Sequence, residues 1–209
     1  MEIKPLVVGP LLTNCYLLVS KKEFLKKNIS SEPELLIIDP GGETEKILEE
    51  INKIKGKVKY IINTHFHWDH TLGNKIIKKL TGAKILIHEA EKNFINFKAN
   101  QFLKEGDEIK IGKNVLKVFH VPGHSRGSIC LAGAWLTCQS RPSCQLSIID
   151  NQPFDFIFTG DTLFKNGYGR TDLPGGSEKD LKKSLERLTK ILKSGMTVYP
   201  GHGEIFEIK

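Results

Sequence analysis

The sequence predicts a layered α/β domain. Short runs rich in Val, Ile, Leu and Phe alternate with stretches whose apolar residues recur at helical spacing. Its 209 residues suffice for one domain, or one domain with an insertion, around a sizeable core. No apolar run approaches the roughly 20 residues that span a bilayer, and no tandem repeat, linker or low-complexity segment interrupts the pattern.

The elements follow in order. Leu35 to Ile38 reads as a buried strand, stopped by Asp39-Pro40-Gly41-Gly42. Ile47, Leu48, Ile51 and Ile54 form a helical stripe that Gly56 closes. Val58 to Ile62 is the next strand. Leu72, Ile76, Ile77 and Leu80 predict a second amphipathic helix, ended by Gly82, and Ile85 to Ile87 a short strand. Val115 to Phe119 alternates imperfectly and runs to Pro122-Gly123. Ile129 to Leu136 and Cys144 to Ile149 read as two strands joined by a Ser-Arg-Pro-Ser turn, and Phe154 to Phe158 as another ending at Thr159-Gly160. Ser177 can cap a helix with Asp180 three residues on. Leu181, Leu185, Leu188 and Leu192 give that helix its apolar stripe. Gly195 ends it, and Met196 to Tyr199 is a last core strand.

Hydrophobic residues make up 39% and charged residues 26%, the balance of a soluble globular protein. The N-terminus lacks the basic start, apolar centre and cleavage site of a signal peptide, which predicts a cytoplasmic protein with no membrane partner. The net charge is +7, mostly from lysines scattered in short pairs. A nucleic-acid surface could be built from such charge, but the aromatic–basic interleaving of single-strand binders is missing, so the lysines read as a solvated surface. Cys15, Cys130, Cys138 and Cys144 form no C-x-x-C pair and read as reduced thiols. A hairpin disulfide between Cys138 and Cys144 is left for geometry to decide.

Residues 64 to 70 read Thr-His-Phe-His-Trp-Asp-His, directly after a predicted strand. At this composition a chance H-x-H-x-D-H arises in roughly three of ten thousand chains, so coincidence is a poor account of it. Three imidazoles and a carboxylate on one strand-end loop have no packing rationale, and they are donors suited to zinc and similar divalent ions. One loop cannot close two metal sites. His124 in Pro-Gly-His-Ser, Asp161 in Gly-Asp-Thr and His202 in Pro-Gly-His-Gly each follow an apolar strand beside a glycine. They are therefore the further candidates, offered from loops on a rigid scaffold. Any one of them alone could be an ordinary surface or core residue, but as a set they could not.

In full order, T-H-x-H-x-D-H, P-G-H-S, G-D-T-L-F and P-G-H-G resemble the metallo-β-lactamase superfamily, from about Asn14 to His202. The resemblance implies a single four-layer αββα sandwich over residues 1–209, with residues 133–153 as a hairpin insertion. It implies that His65, His67 and His124 hold one ion, that Asp69, His70 and His202 hold another, and that Asp161 bridges them. The implied ions are divalent, zinc first, with iron or manganese as alternatives. Asp39 resembles a carboxylate that supports the ligands from behind; a turn or helix-entry role is the other reading. His88 and His120 fall outside the motifs and read as structural.

The segment from Gly160 to Phe164, followed by Gly167-Tyr168-Gly169-Arg170, is similar to the glyoxalase II-like group. That similarity implies hydrolysis of a small anionic thioester, such as a hydroxyacyl-thiol, by hydroxide activated between two metals. Asp69 would direct the hydroxide, and Arg170 would bind a substrate carboxylate unless it forms an internal ion pair with Asp172. Two departures concern glutathione as the thiol. Seven residues follow His202 where full glyoxalase II continues into a helical domain, and Asp172 stands where a Tyr is usual. Three rivals share the fold. Persulfide dioxygenases use a single iron and a similar Gly-Arg-Thr-Asp segment. Lactonases place a Tyr where this chain has Phe164. Nucleases would use the positive charge.

Overall fold

The computed structural model describes residues 1–20, 32–135 and 154–209. Two six-stranded sheets dominate it. The first contains β1 (Glu2–Val8), β2 (Thr13–Val19), β3 (Glu34–Ile38), β4 (Lys57–Ile62), β5 (Lys84–His88) and β6 (Gln101–Leu103), in that spatial order. β1, β2 and β3 pair antiparallel; from β3 to β6 the pairing is parallel. The parallel crossovers carry α1 (Thr44–Ile54) and, after a single turn α2 (Trp68–Thr71), α3 (Asn74–Thr81). The second sheet contains β7 (Glu108–Ile111), β8 (Asn114–His120), β9 (Ile129–Gly133) and β10 (Phe156–Gly160). A two-stranded ribbon, β11 (Leu163–Phe164) with β12 (Gly167–Tyr168), and α4 (Glu178–Ile191) lead to β13 (Thr197–Pro200) and β14 (Phe206–Glu207). The second sheet runs in the order β14, β13, β10, β9, β8, β7, with β10 and β13 its parallel pair.

The strand period of two sorts the side chains into layers. Leu36 and Ile38 of β3 point between the sheets and meet Leu116, Val118, Leu131, Phe156 and Phe158. Leu35 and Ile37 of the same strand point outward to Ile47 and Ile51 of α1 and Ile77 of α3. On the far side of the second sheet, Leu188 of α4 packs with Phe119, Cys130, Ile157 and Val198. The result is helix, sheet, sheet, helix, the four-layer arrangement the resemblance implied. Each fully buried Leu, Ile or Phe contributes about 1.5–3 kcal/mol, so Leu35→Ala or Phe158→Ala would cost more than any surface change.

Several elements differ from the sequence reading. β1 and β2 were not anticipated, although all seven residues of β2 are buried. A fully buried strand shows no alternation to detect. α1 closes on Lys55, left-handed at φ 53°, one residue before the expected Gly56. α3 closes at Gly82 as expected, but of its predicted apolar stripe only Ile77 is buried. Leu72, Ile76 and Leu80 are 56%, 48% and 62% exposed. The buried face of α3 is completed by Asn74, so polar pairing replaces the expected apolar contact. α4 starts at the Ser177 cap, whose hydroxyl accepts from the Asp180 N–H, but stops at Ile191, before Gly195. β10 begins two residues later than predicted, and β9 ends at Gly133. Residues 136–153 of the expected hairpin insertion, with Cys138, Cys144 and the strand Cys144 to Ile149, lie outside the described residues. No helix among the described residues is long and apolar enough to cross a membrane.

Candidate metal centre

All seven candidate ligands converge at one end of the two sheets. His65 and His67 leave the end of β4. Asp69 and His70 are not on an irregular loop but on the single turn α2, for which His67 is the N-terminal flank. His124 comes from the connection between β8 and β9, Asp161 follows β10, and His202 follows β13. Three sets of ligand atoms lie within 4.8 Å of one another: His65, His67 and His124; His65, His70 and Asp161; and Asp69, His70 and His202. The middle set joins the other two. Asp161 faces both, with Oδ2 3.7 Å from His124 Nε2 and 3.5 Å from His202 Nε2, and Oδ1 3.4 Å from His70 Nε2.

Three of the rings are aimed by a contact at the back. His124 Nδ1 donates to the Arg170 carbonyl at 2.8 Å, and His202 Nδ1 to the Leu11 carbonyl at 3.0 Å, so both present Nε2 to the centre. His70 Nδ1 lies 3.0 Å from Asp39 Oδ2. Asp39 is buried with a left-handed backbone at φ 50°, and its carboxylate also accepts from the Thr64 N–H at 2.8 Å and the Thr64 hydroxyl at 2.6 Å. It thus supports both the start of the ligand segment and one ligand. Asn63 fixes the far end of the segment, donating to the His70 carbonyl at 3.0 Å and pairing with Asn74. Thr13 Oγ donates to Asp69 Oδ2 at 3.4 Å.

The electrostatics match a cation in the cleft. Burial, reinforced by the neighbouring imidazoles, pushes the His65 pKa well below 6.5, and burial with His124 takes His67 to about 4. Burial also lowers His124. These rings are therefore neutral at pH 7 and offer lone pairs, the form a metal requires. His70 and His202 differ. Burial opposes their charge, but Asp161 and Asp39 around His70, and Asp69 and Asp161 around His202, outweigh it and raise both. The Asp69 carboxyl is held well below its ordinary range: burial would raise it, but His202 and His70 overcome that effect. His65 Nε2, His67 Nε2 and Asp161 Oδ1 are buried without a hydrogen-bond partner. Buried polar atoms are ordinarily paired. The unpaired His65 Nε2 and Asp161 Oδ1 within the ligand cluster fit a divalent ion, toward which His67 turns Nδ1, 2.9 Å from His124 Nε2.

The Arg170 side chain turns outward and forms a bidentate pair with Asp172, at 2.7 and 2.6 Å, with both residues exposed. Its backbone does what the sequence did not suggest, accepting from His124. Gly169 allows the approach: a Cβ there would lie 1.8 Å from the Asp161 carbonyl oxygen and 2.9 Å from His124 Nδ1. The sequence also gave no sign of Leu11, Thr13 or Asn14. The last donates to the Pro200 and Gly203 carbonyls at 3.0 and 2.9 Å, which ties β2 to the His202 loop. His88 and His120 stack on each other, ring centroids 4.0 Å apart, outside the ligand cluster. Cys15 and Cys130 are buried free thiols whose pKa burial raises, so neither is an activated nucleophile.

Comparison with known proteins agrees with this geometry. An uncharacterized protein of Aquifex aeolicus is 32% identical across 97% of this chain and 90% of its own length. A Bacillus subtilis protein named "Probable metallo-hydrolase YqgX" is 30% identical across 97% of this chain and 90% of its own. Among solved structures, TTHA1623 in a di-iron-bound form is 25% identical with a TM-score of 0.73, over 98% of this chain and 94% of that one. The family model of the metallo-beta-lactamase superfamily matches residues 8–133, which include the whole His-x-His-x-Asp-His segment and His124. With its two facing sheets, its outer helices and its ligand loops at one end, the chain belongs to the metallo-β-lactamase superfamily and is a metal-dependent hydrolase.

Proposed function

We propose that the chain is a dinuclear, glyoxalase II-like hydrolase of small anionic thioesters. The observation that carries this reading is the position of Asp161 between two ligand triads, with one carboxylate oxygen toward both His124 and His202. Ions held there would bring the pKa of a bound water near neutrality and polarise a substrate carbonyl. Zinc suits the His and Asp donors, and the di-iron form of TTHA1623 makes iron the second candidate.

The chain's own groups define the rest. Asp69 stays ionised and accepts hydrogen bonds, so it can fix the direction of the attacking water. His65, His67 and His124 are held neutral and supply lone pairs rather than protons. Such a site favours a leaving group that departs as an anion without a strong acid, and a thiol with pKa about 8.5 does so. The Arg170 guanidinium, exposed beside the centre, can exchange Asp172 for a substrate carboxylate in the same bidentate geometry.

Metal analysis combined with a panel of acyl thioesters tests this reading. The expected result is close to two ions per chain and hydrolysis of hydroxyacyl thioesters well above that of matched oxygen esters. One ion at saturation, with oxygen uptake on a persulfide and no thioester hydrolysis, would replace it with the dioxygenase.

A further inference from the structure

The first triad is assembled from two sheets. His65 and His67 extend from β4 of the first; His124 lies between β8 and β9 of the second. Two sheets meeting through apolar side chains have no directional contact to set a ligand distance, so something polar must fix it. The backbone supplies one bond, from the Ile129 N–H to the Thr64 carbonyl at 2.9 Å. A buried side chain supplies two more. Glu91, on the 3-10 turn Glu89–Glu91 that follows β5, is fully buried. Its Oε1 accepts from the Ser125 hydroxyl and from the Gly127 N–H at 2.7 Å. Both donors lie in the β8–β9 loop that carries His124.

That loop is closed on itself. The Ser125 N–H donates to Ser128 Oγ at 3.0 Å, the Gly123 N–H to the Ser125 carbonyl at 2.9 Å, and the Val121 N–H to the Ser128 carbonyl at 2.8 Å. It is thus braced internally; α4 and its cap hold its second-sheet side, through the Ser177 N–H to the Gly123 carbonyl at 2.8 Å and the Ser184 hydroxyl to the Pro122 carbonyl at 2.7 Å, and Glu91 holds its first-sheet side. The fit is close: a Cβ at Gly127 would lie 2.6 Å from Glu91 Cγ. A carboxylate in this position is costly to the fold. Burying it is unfavourable, and its Oε2 is buried without a partner. What it supplies in exchange is an acceptor for two buried donors of the His124 loop and a fixed position for that loop against the first sheet.

We propose that Glu91 is a positioning residue, which fixes the His124 loop against the first sheet and thereby sets the spacing of His124 from His65 and His67. In the structure this spacing brings His124 Nε2 to 2.9 Å from His67 Nδ1. The second triad does not depend on Glu91, because its cross-sheet tie is Asn14 with the His202 loop. Loss of Glu91 thus loosens one ion and spares the other. The inference rests on the centre being a metal site.

The test is a zinc titration against a chromophoric chelator with the full chain, with unfolding of the metal-free protein followed in parallel. Glu91→Ala is expected to weaken one of the two ions by about 10–100-fold and leave the other unchanged, the usual size of effect for a group that orients a ligand. His124→Ala should weaken the same ion, and His202→Ala the other. Glu91→Gln retains an oxygen at the Oε1 position and should stay within about threefold of wild type. Both affinities unchanged in Glu91→Ala, or Glu91→Gln as weak as Glu91→Ala, would overturn the proposal. So would a lower unfolding midpoint with no change in affinity, the signature of a merely structural residue. Should Glu91→Ala not fold, Ser125→Ala decides: it removes one of the two bonds and must weaken the same ion. A wild-type chain that takes two ions without cleaving thioesters would sink the functional reading and leave the Glu91 effect fully readable.

Discussion

The carbonyl oxygen of Arg170 accepts a 2.8 Å hydrogen bond from Nδ1 of His124, across 46 residues of sequence. This bond fixes the tautomer of the ring and turns Nε2 toward the centre. The approach depends on Gly169, where a Cβ would overlap the Asp161 carbonyl. Gly169→Ala should therefore displace a candidate bridging ligand and the support of another at once. A loss of at least about 100-fold in kcat is expected with the fold retained, since displacements near 1 Å at reacting groups have effects of that order. Steady-state kinetics with circular dichroism checks it; near-normal turnover would refute the role given to this segment.

Asp69→Asn preserves size and removes charge. The Asp69 carboxyl is held ionised by His202 and His70, and in the proposed reaction it directs the attacking water. Hydrolysis should fall by about 100-fold or more while secondary structure is unchanged. His67→Ala should do the same through loss of an ion, which elemental analysis would read directly.

Arg170→Ala and Asp172→Ala separate substrate binding from loop fixing. Both residues are exposed, so breaking their pair should leave the unfolding midpoint unchanged. If the guanidinium binds a carboxylate, Arg170→Ala raises KM for carboxylate-bearing thioesters far more than for neutral ones. Asp172→Ala, by freeing the guanidinium, should lower KM for the charged ones. Equal effects on charged and neutral substrates would leave Arg170 as a loop residue.

His88 gives a pH signature independent of the ligands. Burial and the stacked His120 lower its pKa to about 4, with Glu89, Glu105 and Asp107 only partly offsetting this. Its folded pKa lies below the unfolded value near 6.5, so the folded state binds fewer protons between those values. Its contribution to stability is full above pH 6.5 and declines as pH falls toward 4. Metal-free protein should lose urea resistance over this window, and the difference between wild type and His88→Asn, which should decline less steeply, isolates His88 from the ligand histidines. An unchanged slope would mean that His88 titrates alike in the folded and unfolded chain.

The cluster of candidate ligands was legible in the sequence because metal chemistry demands particular residues at strand ends, whatever lies between them. His65, Asp69 and His202 could each be placed without coordinates. The supports were not legible for the opposite reason. Leu11 and Arg170 contribute carbonyl oxygens, which every residue has, and Asn14 acts across 186 residues through its side chain. β2 was missed because burial on both faces erases the period of two. The stripe of α3 was misjudged because helical spacing reveals a face but not what covers it, and Leu72, Ile76 and Leu80 face outward.

The tie between β2 and the His202 loop has a consequence for how the protein comes into being. Thr13 bridges to His202, the Asn14 N–H donates to the Gly201 carbonyl at 2.7 Å, and the Asn14 side chain reaches Gly203, 189 residues away. At about 5–20 residues per second, a ribosome takes roughly 10–40 s to deliver the partners of Asn14 after Asn14 itself. His65, His67 and His124 emerge well ahead of His202. A growing chain can thus present the first triad while the second lacks a member. The second triad can therefore close only once the His202 loop, which follows β13, has met β2 of the first sheet.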